Sequence, residues 1–409
     1  MNEIVLTLNK GLKLKFIKSP FMKYYIGIGT KFGGAYTKYN DNGITKDIKP
    51  GIAHFLEHML FKMEDGIDQT YEFDKLNVCA NAYTSKEETI YYVSGLNHFF
   101  ESLELLIKMY FTPIFLDDVI ANERKIIIEE YRNDMDDIEK KIYDEEVEAL
   151  FPNDSYKTNI LGNIDSINQI TKEDLYEIYN SFYTIDNTYL VIVSNYDLEE
   201  IKTKINFLLD NLNVIPNKKD VITYQSYDIL TNLEIKDDYY TNLLVFQFKS
   251  FEYNYSDPLV LEKLAIILNQ LFSLDDGLLK TLLDNDMLVD DDYDYNMLSA
   301  SNMIALKIEL RPYDTKKVKE LLLDYISKLD FKKIKNKYIN EEKRKLLSTI
   351  YKTLDDPKNL GDKVLSLWLE GHSYLSLVNR VNELNRDSLK DLVELIKTTP
   401  YSILEKTIK

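Results

Sequence analysis

Two periodicities alternate along the chain. Runs such as NTYLVIVSN (187–195) and TNLLVFQFKS (241–250) gather β-branched and aromatic residues between turn-forming residues, which predicts strands. NHFFESLELLIKMYF (97–111) and NEEKRKLLSTIYKTL (340–354) space their apolar residues three and four apart, which predicts helices that bury one face. The alternation continues throughout and predicts an α+β fold with both element types in each half. VIPNKKD (214–220), with proline, asparagine and charges, divides the chain nearly in half and is the best candidate linker.

The segments on either side of that linker resemble each other. INQITKEDLYEIYNSF (167–182) and VNELNRDSLKDLVELI (381–396) align without gaps, pairing Asn168 with Asn382, Ile170 with Leu384, Leu175 with Leu389 and Ile178 with Leu392. Two unrelated amphipathic helices would also share apolar positions, so chance remains an alternative. The offset is nevertheless 214 residues, which is also where the linker falls. A duplication then divides the chain into a domain at 1–213, a linker at 214–221 and a homologous domain at 222–409.

Length agrees, because 409 residues exceed what one hydrophobic core usually serves. With 45% hydrophobic and 29% charged residues the chain belongs among folded globular proteins. A net charge of −18 argues against a nucleic-acid partner, since such proteins carry basic patches. The same charge would attract basic peptides, although a solvated acidic surface is the plainer reading. The single cysteine, Cys79, has no partner for a disulfide and is expected to be a buried, inert core residue. MNEIVLTLNKGLKLKF lacks the basic and apolar regions of a secretory signal, and no apolar run approaches a membrane span, so a soluble, cytoplasmic protein is expected.

The chemistry concentrates in DIKPGIAHFLEHMLFKMEDGID (47–68). Two of only four histidines, His54 and His58, stand four residues apart and so share one helical face. Two neutral imidazoles on one face suit zinc, which in catalytic sites takes three protein ligands and leaves a fourth position open. Glu57 is placed to take a proton from water activated there. Ile52, Phe55, Leu56, Met59 and Leu60 would hold the helix in a core. The plain alternative is a helix with surface histidines. His98 and His372 have no companions at ligand spacing and are expected to be surface or cap residues. A third ligand is sought in NERKIIIEEYRNDMDD (122–137), where Glu123 and Glu130 share a face seven residues apart. Glu129 competes for the role, and helical phase favours Glu130 if Glu123 also points at the metal.

Taken together, GIAHFLEHMLF, NAYTSKEETIYYVSG and ERKIIIEEYRND, in that order, resemble the pitrilysin/insulysin family of zinc peptidases, the inverzincins. The resemblance runs over roughly residues 25–185 and is closest to a short, two-domain bacterial branch. It implies zinc ligands His54, His58 and Glu130, Glu57 as general base and Glu123 as a supporting acid. It implies that Asn81, Ala82, Tyr83 and Thr84 form an edge strand to which an extended peptide substrate adds. It also implies two homologous domains, each an antiparallel-rich sheet covered by helices, that form half of a clamshell chamber closed by a second two-domain subunit. GIGTKFGG (27–34) is read as a strand ending in a turn, because Phe32 occupies the last glycine position of a dinucleotide-binding G-x-G-x-x-G.

The chain departs from the family in one respect. Active members carry an arginine and a tyrosine seven residues apart in the second half, which help bind substrate and stabilise the oxyanion. The corresponding stretch here, LLDNDMLVDDDYDYN, places Leu283 and Asp290 at those positions. The expectation is a heterodimer whose homologous partner supplies the pair; a homodimer using Tyr293, Tyr295 or Arg311 is the alternative. A non-catalytic assembly subunit, or a peptidase dedicated to one leader peptide or bacteriocin, are further alternatives.

Overall fold

A computed structural model describes residues 3–63, 66–222, 226–231, 233–234, 241–251, 257–300 and 303–406. Its strands are β1 (Glu3–Thr7), β2 (Lys13–Lys18), β3 (Tyr24–Thr30), β4 (Lys38–Asp41), β5 (Ile44–Asp47), β6 (Cys79–Thr84), β7 (Thr89–Gly95), β8 (Thr188–Ser194), β9 (Asp220–Val221), β10 (Leu233–Glu234), β11 (Leu243–Ser250), β12 (Leu288–Ala300), β13 (Met303–Pro312) and β14 (Tyr401–Lys406). The helices of the first half are α1 (Ile52–Leu60), α2 (Thr70–Lys75), α3 (Phe99–Phe111), α4 (Asp117–Asp136), α5 (Ile138–Leu150), α6 (Ile164–Gln169), α7 (Lys172–Phe182) and α8 (Leu198–Asn211). Those of the second half are α9 (Val260–Leu271), α10 (Leu278–Asp284), α11 (Thr315–Ser327), α12 (Asn336–Leu354), α13 (Pro357–Leu369), α14 (Tyr374–Arg380) and α15 (Lys390–Thr398).

The main sheet of the first unit has the order β1-β2-β8-β3-β7-β6, antiparallel except where β2 runs parallel to β8. The sheet of the second unit runs β10-β14-β11-β13-β12, antiparallel except for β10 beside β14. Strand for strand, the two orders from β2 and from β10 are the same. The helices repeat as well: α1 and α9 precede the outer hairpin of each sheet, α3 and α11 follow it, and α7 and α15 lead into β8 and β14. These are two copies of one α/β design. The copy of α1 is α9, where Leu268 and Leu271 are buried core residues and Phe272 caps the end.

The two compact units do not come from a single cut between residues 213 and 222. Residues 137–157 fold with the second unit, and residues 352–375 fold with the first. The reason is amphipathicity. In α5, Ile142 and Ala149 join Leu243, Val245 and Leu404 of the second sheet in one apolar cluster. In α13, Leu360, Val364, Leu365 and Leu369 are buried, and the helix packs along β3 and β8 of the first sheet. The first sheet is therefore covered on both faces, which is why all seven residues of β3 are buried.

GIGTKFGG is a strand followed by a turn, and its glycines have a packing role. The fully buried Tyr25 ring lies over Gly27 and against Gly361 of α13. A Cβ at Gly361 would come within 2.1 Å of that ring, and one at Gly29 within 3.0 Å of Leu369. Close approach of helix to strand needs bare backbone on both sides. Substituting Gly361→Ala should therefore cost about 1–3 kcal/mol through overpacking. Chemical denaturation of the single variant, and of the variant that also carries Tyr25→Leu, checks this; a penalty undiminished in the double variant would place the strain elsewhere.

Candidate metal centre

The site is built on α1, α4 and β6 of the first unit. In IAHFLEHML, Ile52, Ala53, Phe55, Leu56, Met59 and Leu60 are buried, and His54, Glu57 and His58 are left on the half-buried side. The start of the helix is pinned by backbone. Gly51 adopts φ 88°, and a Cβ there would lie 2.4 Å from the Leu161 carbonyl oxygen. Gly162, at φ 79°, meets the Pro50 carbonyl in the same crossing. Only glycine satisfies both the positive φ and the contact.

Helix α4 supplies carboxylates from one face. Glu123 and Ile127 are buried, and Glu130 follows on the same side. Glu130 Oε2 lies 3.9 Å from His54 Nε2 and 3.7 Å from His58 Nε2. One donor atom from each of the three residues falls within 4.8 Å of the others, the only such group of ligating side chains among the described residues. Glu129, the competing candidate, turns outward to pair with Arg132. Two imidazole nitrogens and one carboxylate oxygen around a common point fit a tetrahedral zinc ion with an open position.

The surrounding groups tune these donors. His58 presents its other nitrogen, Nδ1, to Glu123 Oε2 at 3.1 Å, which directs Nε2 toward His54 and Glu130. Glu123 Oε1 is held by Lys62 Nζ at 2.9 Å, and Lys62 in turn by Asp68 Oδ2 at 2.9 Å. Burial alone would raise the Glu123 carboxyl; its contacts with His58 and Lys62 outweigh that and keep it below the usual range. Burial pushes His54 down to about 3, with the neighbouring His58 charge adding to the effect, so the ring is neutral at neutral pH and keeps one nitrogen lone pair free. Burial opposes the charge on His58 too, but the Glu123 contact and the charges of Glu130 and Glu57 prevail and raise it.

Glu57 sits beside the three donors. Its carboxyl is raised by burial, with the Thr84 hydrogen bond and His58 acting against the shift and Glu130 adding to it. Thr84 Oγ1 donates to Glu57 Oε2 at 2.6 Å. Strand β6, which holds Asn81, Ala82, Tyr83 and Thr84, pairs with β7 on one side and ends the sheet on the other. Its residues alternate: Ala80 and Ala82 pack on the main core on the same face as Thr84. Asn81 and Tyr83 fall on the opposite face. Cys79 opens this strand and is exposed, which corrects the expectation of a buried core cysteine; the apolar neighbours in sequence do not reveal a sheet edge.

Sequence reasoning missed Lys62 and Asp68. Lys62 lies one helical turn beyond His58, a spacing that was available as a signal. Of the other histidines, His98 is exposed at the start of α3, and neither it nor His372 joins the cluster. In the second unit Tyr293 stacks on Phe272, with ring centroids 4.8 Å apart, and Arg311 lies 3.5 Å from both Glu309 and Glu139. The side chain of Asp290 lies outside the described residues.

A duplicated α/β chain whose first half carries an H-x-x-E-H helix and a carboxylate on a second helix has the architecture of an inverzincin. The chain belongs to the insulinase family, peptidase family M16. The family's own model matches residues 45–164, and the model of the peptidase M16 inactive domain matches residues 169–346. The uncharacterized zinc protease YmfH of Bacillus subtilis is 34% identical over 190 residues, which are 46% of this chain and 44% of that one. The mitochondrial-processing peptidase subunit beta of Dictyostelium discoideum is 24% identical over 241 residues, 57% of this chain and 50% of that one. The chain thus matches about half the length of these curated relatives. Among solved structures, an M16-like peptidase from Alicyclobacillus acidocaldarius superposes with a TM-score of 0.87 at 18% identity, over 99% of this chain and 98% of that one.

The geometry makes unequal demands on neighbouring glutamates. Glu130→Gln should lower zinc affinity about 10-fold or more, while Glu129→Gln should leave it unchanged. Calorimetric titration of the two variants with zinc is the check; equal losses would mean that the third donor is another residue.

Proposed function

We propose that this chain is the zinc-bearing subunit of a peptidase that hydrolyses extended, unfolded peptides. The observation that carries the proposal is the convergence of His54 Nε2, His58 Nε2 and Glu130 Oε2 beside a buried glutamate that is itself hydrogen-bonded to the edge strand. Zinc held by those three donors would supply Lewis acidity toward a peptide carbonyl and acidify a water at neutral pH.

The protein groups do the rest. Glu57 has one oxygen occupied by Thr84, which leaves Oε1 to accept the proton of the attacking water. Burial of the carboxyl raises its basicity and suits it to that transfer and to returning the proton to the leaving amine. Glu123 and Lys62 hold the His58 ring in the tautomer that keeps Nε2 free. The unpaired side of β6 offers backbone groups to a peptide, so affinity comes from main-chain hydrogen bonds and demands an extended chain. The Thr84–Glu57 bond ties the base to that same strand.

The finer reading is a chamber closed by a second two-domain chain. Leu283 occupies the position where the family's active members carry arginine. Arg311 is engaged with two glutamates, and the Tyr293 ring is stacked on Phe272 within the second unit. One missing donor typically costs about 10²–10³ in rate. A homologous partner carrying the arginine and tyrosine would restore them, and the relation to a chain named as a subunit supports this arrangement. The retained donor set argues against a purely structural subunit. The single thiol, without a disulfide partner, suits a reducing compartment such as the cytoplasm.

Two outcomes test the reading. Glu57→Gln should keep its zinc yet lose at least about 10²-fold in cleavage of a flexible fluorogenic peptide; turnover within a few-fold of the parent would remove Glu57 from the mechanism. The isolated chain should bind zinc, cleave slowly and gain rate when a homologous chain bearing the arginine–tyrosine pair is added. Full turnover, undiminished by dilution and indifferent to any partner, would leave no role for a second chain.

A further inference from the structure

The same layer of the two units is filled differently. In the first unit, the space between sheet and α13 is occupied by the Tyr25 ring, wedged between glycines. In the second unit, a cavity of about 130 Å³ remains between α5 and strands β11, β12 and β13. It has apolar walls, Val147 and Leu150 from the helix and Ala305 from the sheet, and the half-exposed Tyr143 and Leu298 stand at its mouth.

One end of this cavity is charged. Glu146 is only 3% exposed, and its Oε1 has no hydrogen-bond partner among the described residues. The other oxygen, Oε2, accepts from Lys307 Nζ at 2.9 Å. Lys307 also reaches Glu309 at 3.4 Å, and Arg311 lies 3.5 Å from both Glu309 and Glu139. Glu146 and Glu309 thus share the single ammonium of Lys307. A buried carboxylate oxygen without a donor is costly, and with Lys307 shared between two carboxylates a donor that carries positive charge is favoured.

We propose that this cavity is a binding pocket for an aliphatic ammonium group, with the alkyl stem against Val147, Leu150 and Ala305 and the ammonium donating to Glu146 Oε1. The volume accommodates about four waters, enough for a short alkyl chain. An anion would meet the unpartnered oxygen of Glu146. A divalent metal would find a single carboxylate, Glu146, already shared with Lys307, and no histidine among the lining residues. Burial pushes the Glu146 carboxyl up to about 7, with Lys307 opposing, and an arriving cation would favour its ionised form. The proposal stands apart from the metal centre, so its success or failure does not decide the peptidase reading.

The ammonium has two possible sources, a free alkylamine or the lysine side chain of a peptide. The test is equilibrium binding of n-butylamine and n-butanol to the full chain, followed by NMR in the presence and absence of a zinc chelator. Butylamine should bind at least tenfold more tightly than butanol, with or without chelator. Glu146→Gln should abolish that preference, and Leu298→Trp, which narrows the mouth, should weaken butylamine binding in a chain whose Glu146 is intact. N-acetyl-lysine methylamide displacing butylamine, while its norleucine counterpart fails, assigns the pocket to peptide lysine; failure of both assigns it to free amines. Equal binding of butylamine and butanol, or an undiminished preference in Glu146→Gln, would overturn the proposal. If Glu146→Gln does not fold, butylamine binding unchanged by Leu298→Trp overturns it equally.

Discussion

Six of the nine residues of α1 are buried, and the geometry at the metal centre depends on that stripe. Turning the helix to redirect His54 or His58 would bring Phe55 and Leu56 toward water, at about 1.5–3 kcal/mol for each side chain. The Gly51–Gly162 crossing sets where the helix begins, so it resists sliding as well as turning. With α1 fixed, the carboxylates of α4 and the hydroxyl of β6 need only arrive from their own packed elements. Precision at the donors is thus inherited from a core that has no chemistry of its own.

The electrostatics build on that rigidity. Glu57, Glu123 and Glu130 converge on two imidazoles, one of which burial keeps neutral. Lys62 offsets part of the negative charge from the far side of Glu123, where it leaves the donor atoms open. A half-buried group of this kind is best stabilised by a cation among the donors, which agrees with a divalent metal there. The hydrogen bond from Thr84 ties the buried Glu57 carboxyl to the strand at the sheet edge.

Duplication supplied two copies of this scaffold, and each copy resolved its packing differently. Where the first unit has imidazoles on α1, the second has a helix, α9, with leucines and isoleucines buried along it. Where the first fills the layer under α13 with Tyr25, the second leaves a cavity beneath α5 with a carboxylate at its end. The fold tolerates both because the strand order and the helix stripes, rather than these particular side chains, hold each unit together.

Much of this was written locally. Helical phase alone put His54 and His58 on one face, and the 214-residue offset between two helices pointed to the repeat that the strand orders display. Local pattern was enough there because i, i+4 neighbours are dictated by the helix itself. It was not enough to choose between Glu129 and Glu130, because adjacent residues differ only in direction, and direction is decided by the packing of Ile127 and Glu123 under α4. Nor did it reveal that residues 137–157 and 352–375 fold with the opposite halves, since an amphipathic helix declares an apolar face but not which sheet covers it. The glycines of GIGTKFGG and the exposure of Cys79 likewise depend on what lies across from them. Residue types and helical phase determined the donor chemistry; only tertiary contacts, made between segments tens to hundreds of residues apart, decided which donors meet and which surfaces stay open.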